Sequence, residues 1–353
     1  MTKILHLQNI AAVSNGVTRH ISLIAKSTNN NTHFLAVSDF QFDDYDKLSN
    51  YFADILILSH NRSYMQDFFL LLKYCKSKNI SIIHSHHRYF NFLALLISKL
   101  LHLKTVTTVH SRVYGRKTFS YNSEKIIVVS NAIKFHLTKY FRVSPQKIEV
   151  IYNFIDPDFM KISYGREKIR SELELSNDDI LIGYYGRLEI NEKGLGLLIE
   201  AFKILNCRYN NIKLFLMGDG LDRDYLIEQI KVSKIKSIIL EGRNNVFDYS
   251  QAIDIFVLPS RIDPFPYVML ETAYLKIPFI GSNVDGIPEY VTNGFNGLLF
   301  EKNNVNQLSE QIEKLMIDKN LREYLMKNNY DKVTSSFIKG NFIKRYNIMY
   351  SSL

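Results

Sequence analysis

The sequence predicts an α/β protein of two doubly wound, Rossmann-like domains facing a central cleft. Three observations carry that expectation. Short apolar strands alternate with helical patterns, the rhythm of parallel sheets wound by right-handed crossovers. The rhythm breaks at 152–168 (YNFIDPDFMKISYGREK), where Asn, Pro, Asp and Gly read as a linker. The length, 353 residues, exceeds one ordinary core and suits two.

In the first half the apolar runs place strands near 3–8, 33–37, 54–58, 81–84, 104–109, 126–129 and 148–151. Helical spacing falls near 17–27, 65–77, 90–101 and 132–141. The pattern restarts with ILIGYYGRL and a helix at 194–207. KLFLMG, a helix near 222–232, SIILEG, DIFVLPS, a helix after 265 and PFIGS follow. Helical patterns at 305–316, 320–328 and 336–350 end the chain. In such sheets ligands sit at the carboxyl ends of the strands.

Composition narrows the class. A hydrophobic share of 46% with 22% charged residues is that of a globular protein. No apolar run nears the ~18 residues needed to span a bilayer. The start, MTKILHLQNIAAVSNG, lacks a cleavage pattern and alternates like a first strand. Two distant cysteines, Cys75 and Cys207, offer neither a disulfide framework nor a zinc knuckle, so a reducing cytoplasm is the expected compartment.

The net charge of +9 is unevenly placed. Residues 1–160 hold 19 Lys and Arg against 10 Asp and Glu; the remainder holds 25 of each. All ten histidines lie at or before His136. The N-terminal half is therefore expected to meet something anionic, with drift in a Lys/Asn/Ile-rich proteome as the alternative.

Two stretches carry chemistry. In YYGRLEINEKGLGLLIEAF a strand ends at Gly186, Arg187 follows, and Lys193-Gly194 precedes a helix. A cation at a strand end and another at a helix start suit a diphosphate, and solvated loop charges are the alternative. In DPFPYVMLE, Asp263 precedes a Pro-Phe-Pro turn and Glu271 lies inside an apolar helix. Asp263 has an ordinary reading as a helix cap. A lone buried carboxylate needs partners, and paired ribose hydroxyls would satisfy Glu271. The diphosphate would then lie on the amides around Phe265 and Tyr267.

GRL…KGL, GDG, VIYNFID and VLPSRIDPFPYVMLETAYLKIPFIGSNVDGIPEYVTNGFNGLLF together resemble the retaining glycosyltransferases of family four, which have the two-domain GT-B fold. The resemblance covers nearly the whole chain and is densest from 182 to 300. It implies an acceptor-side domain at 1–160, a nucleotide-sugar-binding domain at 161–333, and a C-terminal helix at 334–353 crossing back to the first.

The family's Glu-x7-Glu motif stands here as Asp263-x7-Glu271. The resemblance makes Glu271 the ribose ligand, sets Asp263 by the donor sugar, and gives Arg187 and Lys193 the diphosphate. It places Gly218, Asn245 and Val246 near the base, in the loops MGDGLD and EGRNNV. NGVTRH, with Gly16, resembles the glycine loop at the sugar and acceptor. His86 and His110 are expected at strand ends facing the cleft, His110 matching the family's active-site histidine. Three departures stand out: Asp for the first Glu, Pro266 for a frequent Gly, and one glycine where two are common.

Other chemistries fit less well. His84-Ser85-His86-His87 has no Cys or acid nearby to complete a zinc site. DRD at 222–224 opens a helix and reads as a start signal. The first strand lacks the G-x-G-x-x-G of a nicotinamide enzyme, and no aromatic-basic RNA module is visible.

The expectation is a metal-independent retaining transferase with no cofactor, moving a sugar from a nucleotide donor (UDP the commonest base) to a hydroxyl of a glycan or lipid-linked acceptor in surface-polysaccharide synthesis. A nucleotide-sugar epimerase or hydrolase on the same fold, or a non-catalytic sugar-nucleotide-binding protein, is the alternative. Arg112, Arg116 and Lys117, in the most basic stretch, are expected to dock the first domain on the anionic inner face of the plasma membrane.

Overall fold

The computed structural model describes residues 2–12, 15–40, 44–58, 63–115, 117, 120–240, 242 and 245–353. The chain forms two compact units, Met1–Asn153 with Lys339–Leu353, and Phe154–Ile338.

The first unit opens with β1 (Ile4–Ala11), α1 (Gly16–Thr28), β2 (His33–Phe40), α2 (Tyr45–Ser49), β3 (Asp54–Ile57) and α3 (Tyr64–Lys78). It continues through β4 (Ile82–Ser85), α4 (Arg88–Leu101), β5 (Lys104–Val109), β6 (Lys125–Val128), α5 (Asn131–Tyr140) and β7 (Ile148–Val150). The strands make one sheet in the order β3-β2-β1-β4-β5-β6-β7, every neighbouring pair parallel. Both faces of such a sheet are covered, which is why its strands read as apolar runs. Phe90, Leu93, Ala94 and Ile97 give α4 one apolar stripe, and it packs in a core with Leu5, Leu7 and Ile83.

The second unit runs α6 (Arg166–Glu172), β8 (Ile180–Tyr185), α7 (Leu195–Asn206), β9 (Ile212–Met217), α8 (Arg223–Val232), β10 (Ser237–Leu240) and α9 (Val246–Ser250). Then come β11 (Ile255–Leu258), α10 (Tyr267–Tyr274), β12 (Phe279–Ser282), α11 (Ile287–Tyr290), β13 (Leu298–Phe300), α12 (Val305–Ile317) and α13 (Lys319–Ser336). Its sheet is also parallel, in the order β10-β9-β8-β11-β12-β13.

The last helix, α14 (Lys339–Ser351), belongs to the first unit. It buries Phe342, Tyr346, Met349 and Tyr350, and Arg345 pairs with Glu149 at 2.8 Å.

The units divide at 153/154 rather than 160/161. β7 ends at Val150, and by Ile155 the backbone bonds Phe337 O at 2.9 Å. The segment read as a linker is also less irregular than its composition implies, because α6 begins at Arg166. Helix α13 runs to Ser336, well past 328. α2, α9, α11 and β13, of three to five residues, are too short to show periodicity, and the sequence reading misses them.

Each sheet reverses strand order once. In the first unit β1 lies between β2 and β4; in the second β8 lies between β9 and β11. Crevices open at such points beyond the strand ends.

Candidate functional site

In the second unit the crevice is built by glycines. Gly218 has φ +149°, and a Cβ there would lie 1.9 Å from Gly186 O, so the ends of β8 and β9 touch backbone to backbone. Gly194 has φ +67°, and its Cβ would lie 2.1 Å from Pro259 O. Only glycine lets the turn before α7 lie against the end of β11.

That approach brings Lys193 to Asp263 across the β8–β11 switch point. Lys193 Nζ lies 2.8 Å from Asp263 Oδ2, with side-chain exposures of 18% and 6%. Ser260 Oγ donates to the same oxygen at 3.0 Å, and the Asp263 N–H donates to Asp285 Oδ2 at 3.0 Å. A buried carboxylate with a lysine and a hydroxyl is a satisfied group. Asp263 is therefore no N-cap: Pro266 holds that place on α10, without a side-chain cap.

Arg187 stands at the end of β8, exposed, with ion pairs to Glu189 at 3.1 Å and Glu192 at 3.0 Å. Asp222 accepts from Ile190 N–H at 2.8 Å, steadying the loop that carries Lys193, which is a structural use for the DRD acid. Glu271 is buried in α10 among Met269, Leu270 and Ala273. Phe265 is buried too, its ring stacked on Phe337 at 5.9 Å, and Tyr267 begins α10. Asn245 caps α9: it accepts from Phe247 N–H at 3.3 Å and donates to Lys161 O at 3.0 Å and Asp248 Oδ2 at 2.8 Å. Its amide is spent on the fold.

In the first unit Gly16 begins α1 behind Asn15, whose side chain accepts from Val17 N–H at 2.8 Å. His110 follows β5 and is half-buried. His86 departs from expectation: it is buried behind His110, with Nε2 bonded to His6 at 3.0 Å and Nδ1 to His110 at 3.1 Å. Neither ring nitrogen is left for a sugar.

Sequence reading also missed the gathering of six histidines. His6, His20, His33, His84 and His86 are buried, with His110 beside them. His6, His84 and His86 bring ligand atoms within 4.8 Å of one another, a spacing a metal ion could use. All six of their ring nitrogens are already in hydrogen bonds: to Tyr350 and Thr108 from His84, and to His33, His86, His6 and His110 from the others. With no carboxylate or thiolate in the group, metal would have to break those bonds.

Burial pushes His20 and His33 down to about 4. Burial first, and neighbouring histidines second, hold His6, His84, His86 and His110 well below the ordinary value. The cluster is neutral at neutral pH.

Of the expected docking trio, Arg112 is half-buried with its Nε enclosed, and Arg116 lies outside the described residues. Lys117 is exposed, its ammonium 4.1 Å from the Tyr140 ring centre. No helix among the described residues is long and apolar enough to cross a membrane.

Two doubly wound units with polar groups gathered at their switch points define the GT-B class. The family described as Glycosyl transferases group 1 matches residues 165–332, and Glycosyltransferase Family 4 matches 14–159. The chain belongs to this family-four type of glycosyltransferase. It is similar to an uncharacterized glycosyltransferase of Methanocaldococcus jannaschii, 27% identical over 89% of this chain and 88% of the relative. The capsular polysaccharide biosynthesis glycosyltransferase CapM of Staphylococcus aureus is 29% identical over 64% of this chain and 61% of its own. Among solved structures, Anabaena HepE in complex with UDP-glucose aligns over 100% of both chains with a TM-score of 0.89 at 19% identity.

The histidine cluster makes acid stability testable. Folded His20 and His33 titrate near 4, against about 6.5 unfolded, so the unfolded chain takes up protons first as pH drops. Their stabilisation is complete above pH 6.5 and is lost as pH falls toward 4. The thermal unfolding midpoint should drop across that window in calorimetry; a flat profile would mean that the rings are hydrated.

Proposed function

We propose that the chain is a retaining, metal-independent glycosyltransferase that moves a sugar from a UDP-sugar to a hydroxyl of a glycan or lipid-linked acceptor, in surface-polysaccharide synthesis. The observation that carries the reading is the Lys193–Asp263 pair at the switch point of the second sheet, with Arg187 and Glu271 on the flanking elements. The relatives support the setting. CapM is named for capsular polysaccharide biosynthesis, and an Escherichia coli relative, 26% identical, is named as a UDP-Gal:alpha-D-GlcNAc-diphosphoundecaprenol alpha-1,3-galactosyltransferase.

On this reading Lys193 and Arg187 meet the diphosphate, the positive end of α10 adds to the attraction, and Glu271 holds the ribose. Asp263, released as Lys193 turns to phosphate, accepts from hydroxyls of the donor sugar. Charge grows on the leaving diphosphate, which takes the acceptor's proton, so no enzyme nucleophile is required. The protein's contribution is fixed charge in a site that excludes water.

Lys193→Ala should lower turnover about 10²- to 10³-fold with a smaller loss of donor affinity, because the charge it meets is larger in the transition state. Steady-state kinetics with chelator present should match those without. Equal losses in turnover and affinity would reduce Lys193 to ground-state binding, and strict metal dependence would overturn the mechanism.

Glu271→Gln should weaken binding of UDP alone, by roughly 1.5–3 kcal/mol for a charge-assisted bond, in titration calorimetry. Asp263→Asn should spare UDP and impair use of the whole nucleotide sugar. Wild-type UDP affinity in both variants would return the Asp263–Glu271 stretch to a purely structural role.

The basic first unit is the proposed docking face for an anionic membrane. Exposed Lys117 and Lys139 lie near Tyr140 and exposed Phe135, with exposed Tyr114 alongside. Aromatic rings among cations suit a headgroup boundary. Sedimentation with anionic vesicles should show binding that fades as salt screens it and weakens when both lysines become Gln. Salt-insensitive binding, or none, would remove the membrane claim and leave the transferase claim standing.

A further inference from the structure

Four of the clustered histidines stand in series. His33 opens β2, His6 lies in β1, His86 follows β4 and His110 follows β5, and these are four adjacent strands of the first sheet. Neighbouring strands lie about 4.8 Å apart, a step one imidazole bridges. The bonds run His33 Nδ1 to His6 Nε2 at 2.8 Å, His6 Nδ1 to His86 Nε2 at 3.0 Å, and His86 Nδ1 to His110 Nε2 at 3.1 Å. At the far end His33 Nε2 meets Thr28 Oγ1 at 2.6 Å.

The Thr28 end sets a direction. Its hydroxyl lies 2.8 Å from Ile24 O, one turn back in α1, and donates there. It therefore accepts from His33, whose proton is on Nε2. A neutral imidazole has one donor and one acceptor. His33 Nδ1 thus accepts from His6 Nε2–H, His6 Nδ1 from His86 Nε2–H, and His86 Nδ1 from His110 Nε2–H. No hydrogen bond reaches His110 Nδ1 among the described residues, and His110 as a residue is half-buried where the other three are buried.

We propose that Thr28, His33, His6 and His86 are positioning residues, a one-way hydrogen-bond chain that fixes His110 as its Nε2–H tautomer and presents its Nδ1 lone pair as an acceptor for a hydroxyl of the bound sugar or acceptor. The ligand half of this statement rests on the transferase reading; the tautomer half stands without it. A metal at His6, His84 and His86 is the competing use of the same atoms.

The direction can be reversed from a distance. In Thr28→Val, His33 Nε2–H would face a methyl group. An orphaned buried N–H costs more than an orphaned lone pair, so every proton in the chain moves to Nδ1. Thr28→Ser keeps the hydroxyl and the direction.

The test is nitrogen NMR of the full chain with ¹⁵N-labelled histidine at neutral pH, His110 assigned by signal loss in His110→Asn. In the wild type and Thr28→Ser, His110 should show a protonated Nε2 and a bare Nδ1. In Thr28→Val the two should exchange, with turnover down about tenfold, the share of molecules left in the productive tautomer. A protonated Nδ1 in the wild type, which needs no variant to measure, overturns the proposal. So does an unchanged His110 tautomer in folded Thr28→Val, or stoichiometric uptake of Zn²⁺ that shifts the His6, His84 and His86 signals. A reversed tautomer with full turnover would remove the ligand role of His110, and the correct tautomers in a chain without transferase activity would count against the functional reading alone.

Discussion

The reversal of strand order in a parallel sheet is the constraint on which the rest depends. Where the order reverses, the crossovers of β8 and β11 diverge to opposite faces, and a crevice opens beyond the carboxyl ends of the two strands. A gap of that kind is useful only if polar groups can be held there without collapsing onto the backbone. Gly186, Gly194 and Gly218 let three loops approach within van der Waals distance, and the space they save goes to Lys193, Ser260 and Asp263. Replace the glycines with any side chain and the loops separate before chemistry is considered.

The alternating architecture was legible because parallel sheets demand it. Each buried strand must be a short apolar run, and each crossover helix must carry one apolar stripe, as Phe90, Leu93, Ala94 and Ile97 do. The Lys193–Gly194 and Asp263-x7-Glu271 stretches were legible for another reason. They break local rules, a cation at a helix start and a carboxylate in an apolar helix, and such breaks concentrate at functional sites. Much of the rest was hidden by distance. His6, His33, His86 and His110 are spread over more than a hundred residues, and only sheet order makes them neighbours. Their confinement to the first half was visible as a count, but the charge on that half drew the interpretation toward an anionic partner. Asn245 shows the opposite limit: its place in a motif-like loop says nothing of the three bonds that already occupy its amide.

The two units solve the burial of polar groups in different ways. The second offsets charge with charge, setting a lysine and a hydroxyl on one carboxylate. The first avoids charge altogether. Neutral imidazoles pass hydrogen bonds along a row, and α14 supplies phenols to two histidines beside it, Tyr346 to His20 at 2.8 Å and Tyr350 to His84 at 2.6 Å. Buried networks stabilise only when every member is satisfied, so the last helix is as much a part of the first unit's core as any strand.

The shorter first acid acquires a physical meaning in this setting. Asp263 is pinned from four sides: its carboxylate by Lys193 and Ser260, its N–H by Asp285, and its carbonyl by Gly286 N–H at 3.3 Å. Gly286 can come that close because a Cβ there would lie 1.8 Å from Pro264 O. A Glu at 263 would carry its carboxylate one methylene further and could not keep both partners without moving this backbone. The two charges of the pair also offset each other, since a buried lysine or aspartate alone would be costly. On the proposed reading an arriving diphosphate competes with Asp263 for Lys193, so part of its binding energy goes into separating them. On the proposed reading that separation is useful, because it uncovers the carboxylate only once the donor is in place.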